Sequence, residues 1–212
     1  QDKENTSTLK KKAELYIKMN NMDQALACID EASAKIDKES SESYEIEELA
    51  RLYLKAGNPG KGLALLKAAL DACTDVDAAS KLARPMMNYG RDAEIEVDGA
   101  AIADKLLSFG RSFRALKSAM QIVMRAGNYP KAKEYYVEAM SKAADTEDKR
   151  GMLAWGQQIA ENGGDKRFMT DVLQQDLDLN GDDGERGHTQ SQMVEALVKA
   201  GDANKAVQKA NE

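Results

Sequence analysis

The sequence predicts an all-α fold, an array of about six helix-turn-helix repeats, and three observations carry that reading. Only three prolines interrupt 212 residues in which Ala, Leu, Met and Lys dominate, a composition that favours helix throughout. Apolar residues recur at steps of four and three, so they share one face of a helix. The small residues Ala25, Gly62, Ala132 and Ala206, each near the start of a predicted helix, stand 37, 70 and 74 residues apart. Those intervals are one or two turns of a repeat of about 35 residues.

Residues 1–6 are polar and read as a frayed N-terminus. The first helix is expected from about Ser7 to Met19, with Leu9, Ala13 and Tyr16 on one face. Asn20-Asn21 supplies its turn, because Asn tolerates the left-handed cap. The second helix repeats the spacing with Ala25, Ile29 and Ala32, and the polar run 37–41 is a loop. The next hairpin has Ile46, Leu49, Ala50 and Tyr53, the turn Gly57-Asn58-Pro59, then Gly62, Leu66 and Ala69.

The third repeat is irregular. Ala83, Met86 and Met87 suit its first helix, where Pro85 should kink the helix or mark its start. Gly99, Ala103 and Leu106 suit the second, with 90–98 as a long loop. The clearest stretch is 116–143. Leu116, Ala119, Met120 and Val123 form one face, Gly127 closes the helix and Pro130 opens the next, which carries Ala132, Tyr136 and Ala139. Residues 152–160 and Phe168, Met169, Val172 and Leu173 give a fifth pair around Gly163-Gly164, and 176–187 reads as an acidic loop. Met193, Val194 and Leu197, then Gly201 and Ala206, give a last hairpin. The expected units are 7–40, 41–76, 77–110, 111–145, 146–180 and 187–212, together one repeat domain over 7–212.

These residues resemble the tetratricopeptide repeat (TPR). That family pairs two antiparallel helices, with a large–small pair and an aromatic on the first and a small–aromatic–small triad on the second. Leu49-Ala50, Tyr53, Gly62, Leu66 and Ala69 fit the pattern, as do Leu9, Ala13, Tyr16, Ala25, Ile29 and Ala32, and Leu116, Ala119-Met120, Ala132, Tyr136 and Ala139. The fit is partial in the last unit and weak in the third and fifth, and no proline closes a unit. The resemblance implies a right-handed α-solenoid whose first helices line a concave groove. Projected onto the first four units, it places Lys10, Lys18, Tyr44, Arg51, Leu54, Lys55, Arg84, Arg114, Lys117, Met124 and Arg125 in that groove. Among all twenty positions so projected, ten are Lys or Arg and three acidic, although acids outnumber bases 36 to 30 in the chain. The implied function is a non-catalytic scaffold or adaptor that holds a protein or peptide ligand, acidic by preference, in a basic groove. Two other readings stand beside it: the auxiliary TPR region of a larger regulatory protein such as a response regulator, and a self-assembling structural protein.

A formal charge of −6 gives no general attraction to nucleic acid, and no apolar run approaches the ~20 residues of a membrane span. The chain opens on Gln1, which points to removal of an upstream segment, either a signal peptide or a domain. Cys28 and Cys73 read as free thiols, hence a reducing, cytoplasmic setting, with export after signal-peptide removal as the other possibility. Asp176-Leu-Asp178-Leu-Asn180-Gly181 opens like a calcium loop, but Gly187 stands where the closing Glu belongs and Glu185 comes two residues early. It reads as a solvated acidic loop. His188 is the only histidine and is expected at a helix boundary. Trp155 and the methionines are expected in the core. Nothing supports a metal site, a cofactor or an enzyme. The last hairpin is expected to leave Met193, Val194, Leu197 and Ala206 open, a route to homo-oligomers.

Overall fold

The computed structural model describes residues 5–36, 43–179 and 183–211. Among them are twelve helices and no strand: α1 (Thr6–Lys18), α2 (Met22–Lys35), α3 (Ser43–Lys55), α4 (Pro59–Ala72), α5 (Val76–Asp92), α6 (Gly99–Leu107), α7 (Phe113–Arg125), α8 (Tyr129–Lys142), α9 (Thr146–Asn162), α10 (Lys166–Leu179), α11 (Asp183–Ala200) and α12 (Ala203–Ala210). They pair in sequence as six hairpins. The chain divides into two compact units, Gln1–Phe109 and Gly110–Glu212, with three hairpins each.

One local rule shapes all six turns. The residue after the helix cap takes a positive φ at Asn20, Gly57, Glu94, Gly127, Gly164 and Gly201. The next N–H then reaches back five residues to a helix carbonyl: Asn21 to Tyr16, Asn58 to Tyr53, Ile95 to Gly90, Asn128 to Val123, Asp165 to Ala160 and Asp202 to Leu197, all at 2.8–2.9 Å. This is the Schellman closure that satisfies orphan carbonyls. In five turns the same residue also caps the following helix, its side chain accepting from the N–H three residues on, as Asn128 does from Lys131 at 3.1 Å. One Asn or Asp thus ends one helix and starts the next, which keeps the hairpins short.

In the first unit, α1 packs on α2, α3 on α4, and α1, α3 and α5 lie side by side. Leu9, Ala13, Ala25, Ile29, Leu49, Ala50, Leu66 and Ala69 fill the seams and are fully buried. The hydroxyl of Tyr53 and the Lys61 ammonium meet at Asp30 (2.7 and 2.8 Å), joining the first hairpin to the second. Gly62 sits where nothing larger fits: a Cβ there would stand 2.0 Å from Tyr89 Oη and 2.8 Å from Ala50 O. In the second unit each helix packs on the next in sequence. Tyr136 is the centre of that packing. Its ring meets Phe168 edge-on at 5.3 Å, lies against Gly156, and its hydroxyl donates to Gln175 at 3.0 Å.

Several expectations need correcting. Asn5 caps α1 and Thr6 is helical, so only residues 1–4 of the expected frayed end lie outside the described residues. Pro85 lies inside one continuous helix, and the third turn spans only 93–98, with Asp98 capping α6. The acidic stretch 176–187 is mostly helix. Asp176 and Asp178 belong to α10, where they accept hydrogen bonds from Thr189 and Gln174 (3.0 and 2.8 Å), while Asn180 and Gly181 lie outside the described residues. A calcium loop cannot form from residues locked in a helix. His188 is inside α11 and exposed, and the last unit begins at Asp183. Trp155 is half-buried and Met19 is exposed, whereas Met86, Met120, Met152 and Met193 are core. Among the described residues neither cysteine is in a disulfide, and both are half-buried, Cys73 at the cap of α4. Met193, Leu197 and Ala206 are not open: they pack with Leu173 and Leu177, and Val194 lies against them. Among the described residues no helix is long and apolar enough to cross a membrane.

Candidate functional site

The six backbone closures fix a common register, and departures from it locate a cleft. The accepting carbonyls belong to Tyr16, Tyr53, Gly90, Val123, Ala160 and Leu197. One position earlier stand Leu15, Leu52, Tyr89, Ile122, Ile159 and Ala196. In α5 this position faces the preceding hairpin, where the Tyr89 hydroxyl donates to Pro59 O at 3.0 Å. Five of the six are large. The sixth, Ala196, is not. Three positions before the closure stand Ala13, Ala50, Met87, Met120, Gln157 and Val194, of which Ala13, Ala50 and Met120 are fully buried. Gln157 is the only polar one.

Both departures fall in one seam, between α9 and α11. A small side chain on α11 and a polar one on α9 leave it unfilled, as a cleft of about 410 Å³. Met169 and Leu173 of α10 form its floor, Ala160 and Ala196 its lower walls, and Gln157, Glu161, Gln192, Glu195 and Lys199 its rims, with Gly164 and Lys166 at one end. Asp165 fixes that end. Its carboxylate takes the Lys133 ammonium at 2.7 Å and the Phe168 N–H at 2.9 Å, and these bonds hold its pKa below the usual range.

The rim charges cancel, two acids against two lysines. Glu195 pairs with Lys199 at 2.6 Å, and that hydrogen bond lowers the carboxyl pKa. Gln192 Nε2 lies 3.1 Å from His188 Nε2. Amides on both walls can donate and accept, which is what a peptide main chain asks for, above an apolar floor that includes an adaptable methionine. Such a cleft lies within the size range of ligand pockets. Among the described residues no group of three or more His, Cys, Asp and Glu is placed to hold a metal ion.

The basic positions expected from sequence divide between the units. In the first, Lys10, Lys18, Tyr44, Arg51, Leu54, Lys55 and Arg84 lie on α1, α3 and α5. Lys10 is already engaged: its side chain is only 12% exposed and binds Glu48 of α3 at 2.5 Å. Arg51 pairs with Glu47 on its own helix at 2.7 Å. Lys18, Lys55, Arg84 and Tyr44 are exposed, Leu54 half-buried, and Lys18, Lys55 and Arg84 have no ion-pair partner among the described residues. In the second unit Arg114 and Arg125 are exposed on α7, Met124 is half-buried, and Lys117 lies 5.8 Å from the centre of the Phe113 ring. The cleft residues were not among those expected. Their sequence signal is Gln157 and Ala196 read against the hairpin register.

No family model matches the chain, and no curated protein matches it. The solved structures similar to it include two TPR proteins. One is the C-terminal part of a TPR repeat-containing protein from Cytophaga hutchinsonii, 12% identical, aligned over 98% of this chain and 83% of that one with a TM-score of 0.47. The other is a tetratricopeptide repeat protein from Parabacteroides merdae, also 12% identical, over 96% of this chain and 77% of that one, with a TM-score of 0.44. By its own geometry the fold is TPR-like: paired antiparallel helices, closed by one turn rule, with small residues where neighbouring hairpins meet.

Proposed function

We propose that the chain is a non-catalytic interaction scaffold, a repeat domain over 7–212, that holds an extended segment of a partner protein in the α9–α11 cleft. The observation that carries this reading is the double departure at Gln157 and Ala196. The seam between α9 and α11 is left open, floored by Met169 and Leu173 and edged by amides. Its occupant is a peptide with one medium-sized apolar side chain over the floor and its main chain between Gln157 and Gln192. The balanced rim asks for no net charge there. In the first unit, taken by itself, Lys18, Lys55 and Arg84 on α1, α3 and α5 favour an acidic partner segment.

The test is selection from a random phage-displayed peptide library on the parent chain, with counter-selection on Ala196→Leu, which restores the large residue of the register. Peptides with an apolar anchor that bind the parent and not the variant support the proposal. Peptides that bind both equally refute it.

A further inference from the structure

The floor and one wall of the cleft both run back to a single hydrogen bond. Thr189 of α11 is 5% exposed, the one buried polar side chain, tyrosines aside, among the described residues. Its hydroxyl donates to Asp176 Oδ2 of α10 at 3.0 Å. Counting back along α10 from Asp176 by three, four and three residues reaches Leu173, Met169 and Lys166. Counting forward along α11 from Thr189 by the same steps reaches Gln192, Ala196 and Lys199. All six line the cleft. Steps of three and four stay on one face of a helix, so each helix presents one stripe. The stripes run in opposite directions from the bond they share. That bond therefore pairs their rungs: Gln192 with Leu173, Ala196 with Met169, and Lys199 with Lys166.

The apolar rungs do not fix this pairing by themselves. Ala196 offers one methyl, and Met169 is unbranched and adapts to its neighbours. Leu173 and Leu177 pack with Met193 and Leu197 beside them, but apolar burial is non-directional and tolerates a small slide. A hydrogen bond from a buried hydroxyl to a carboxylate is directional, and a slide that broke it would strand both groups. Setting register is the best-attested use of a buried polar pair between helices. We infer that Thr189 is a positioning residue of the cleft: its bond to Asp176 fixes where α11 stands along α10, and so where Gln192 and Ala196 stand over the floor. The inference rests on the reading of the cleft as a peptide site. Thr189 touches no ligand and acts through Gln192.

The test uses the full chain with three changes: Thr189→Val, Thr189→Ser, and the pair Thr189→Val with Asp176→Leu. The pair replaces both partners by apolar groups, which keeps the chain folded at little loss of stability while removing the bond. In the free proteins the NOE between the Met169 and Ala196 methyls reports the pairing of the rungs. It should weaken in Thr189→Val and in the pair, and keep its strength in Thr189→Ser. For a peptide selected on the parent, Thr189→Val and the pair should each weaken binding about fivefold, the size of a coupling between neighbouring groups. Thr189→Ser should bind as the parent does, and Thr189→Val should change nothing further in a chain already carrying Gln192→Ala. A merely structural role would move the unfolding midpoint and leave the NOE as it is. An NOE of parent strength in both Thr189→Val and the pair would overturn the inference, as would a fivefold loss that persists beside Gln192→Ala. A weakened NOE together with peptides that ignore Ala196→Leu would support the register role and refute the peptide site, so the two failures are distinct.

Discussion

The Tyr53 hydroxyl donates to Asp30 Oδ1 at 2.7 Å, tying α3 to α2 across the seam between the first two hairpins. Burial and this bond both raise the tyrosine pKa. Burial also raises that of Asp30, but the hydrogen bonds from Lys61 and Tyr53 outweigh it and leave the carboxyl below its ordinary value. Tyr53→Phe removes one bond to a charged acceptor that keeps its lysine. The expected loss is about 1.5 kcal/mol, read as a lower urea midpoint with unchanged slope.

Glu138 gives a pH signature. Hydrogen bonds from Arg111 chiefly lower its pKa, against the opposing effect of burial and with help from Lys142 at 3.1 Å, to about 2 from an ordinary 4.5. A carboxyl whose folded pKa is depressed contributes stability above its unfolded value and loses it as pH falls through the folded one. The stability difference between the parent and Glu138→Gln should therefore be constant above pH 4.5 and fade towards pH 2. The pair is exposed, so the difference is small and shrinks with salt. Thermal unfolding of both proteins across that range checks the sign.

Gly62 and Tyr89 share one space. Gly62→Ala drives a methyl into Tyr89 Oη and towards Ala50 O, which should cost about 3 kcal/mol as overpacking. Tyr89→Leu in the same chain withdraws the side-chain half of the clash. The double variant should be more stable than the two single losses added together, a non-additivity that only contact produces.

Glu94 occupies a position that glycine holds in four other turns, at φ 54. Glu94→Gly should gain about 1 kcal/mol by relieving left-handed strain, and Gly127→Ala should lose a similar amount. Both are read from urea unfolding curves.

The fold was legible because its determinants are local. Asn20-Asn21, Gly57-Asn58 and Gly127-Asn128 set the turns by backbone chemistry alone, and Ala25, Gly62 and Ala132 mark the close approaches. Where the reading failed, a tertiary contact decided. Pro85 is carried within α5, and Asp176 is held in α10 with Thr189 as its partner. Lys10 looked available as one residue of a row, but its partner Glu48 lies 38 residues on. The cleft was missed because Gln157 and Ala196 are unremarkable in their own helices. They stand out only once the turn bonds align all six hairpins.

The most direct test of the claim that the open seam is the binding site is methyl NMR of Met169 during titration with a peptide selected as above. Met169 lies on the cleft floor and is the only methionine lining it. The account predicts a saturable shift of Met169 that Ala196→Leu abolishes. Saturation with Met169 unmoved, and shifts confined to α1, α3 and α5, would contradict it.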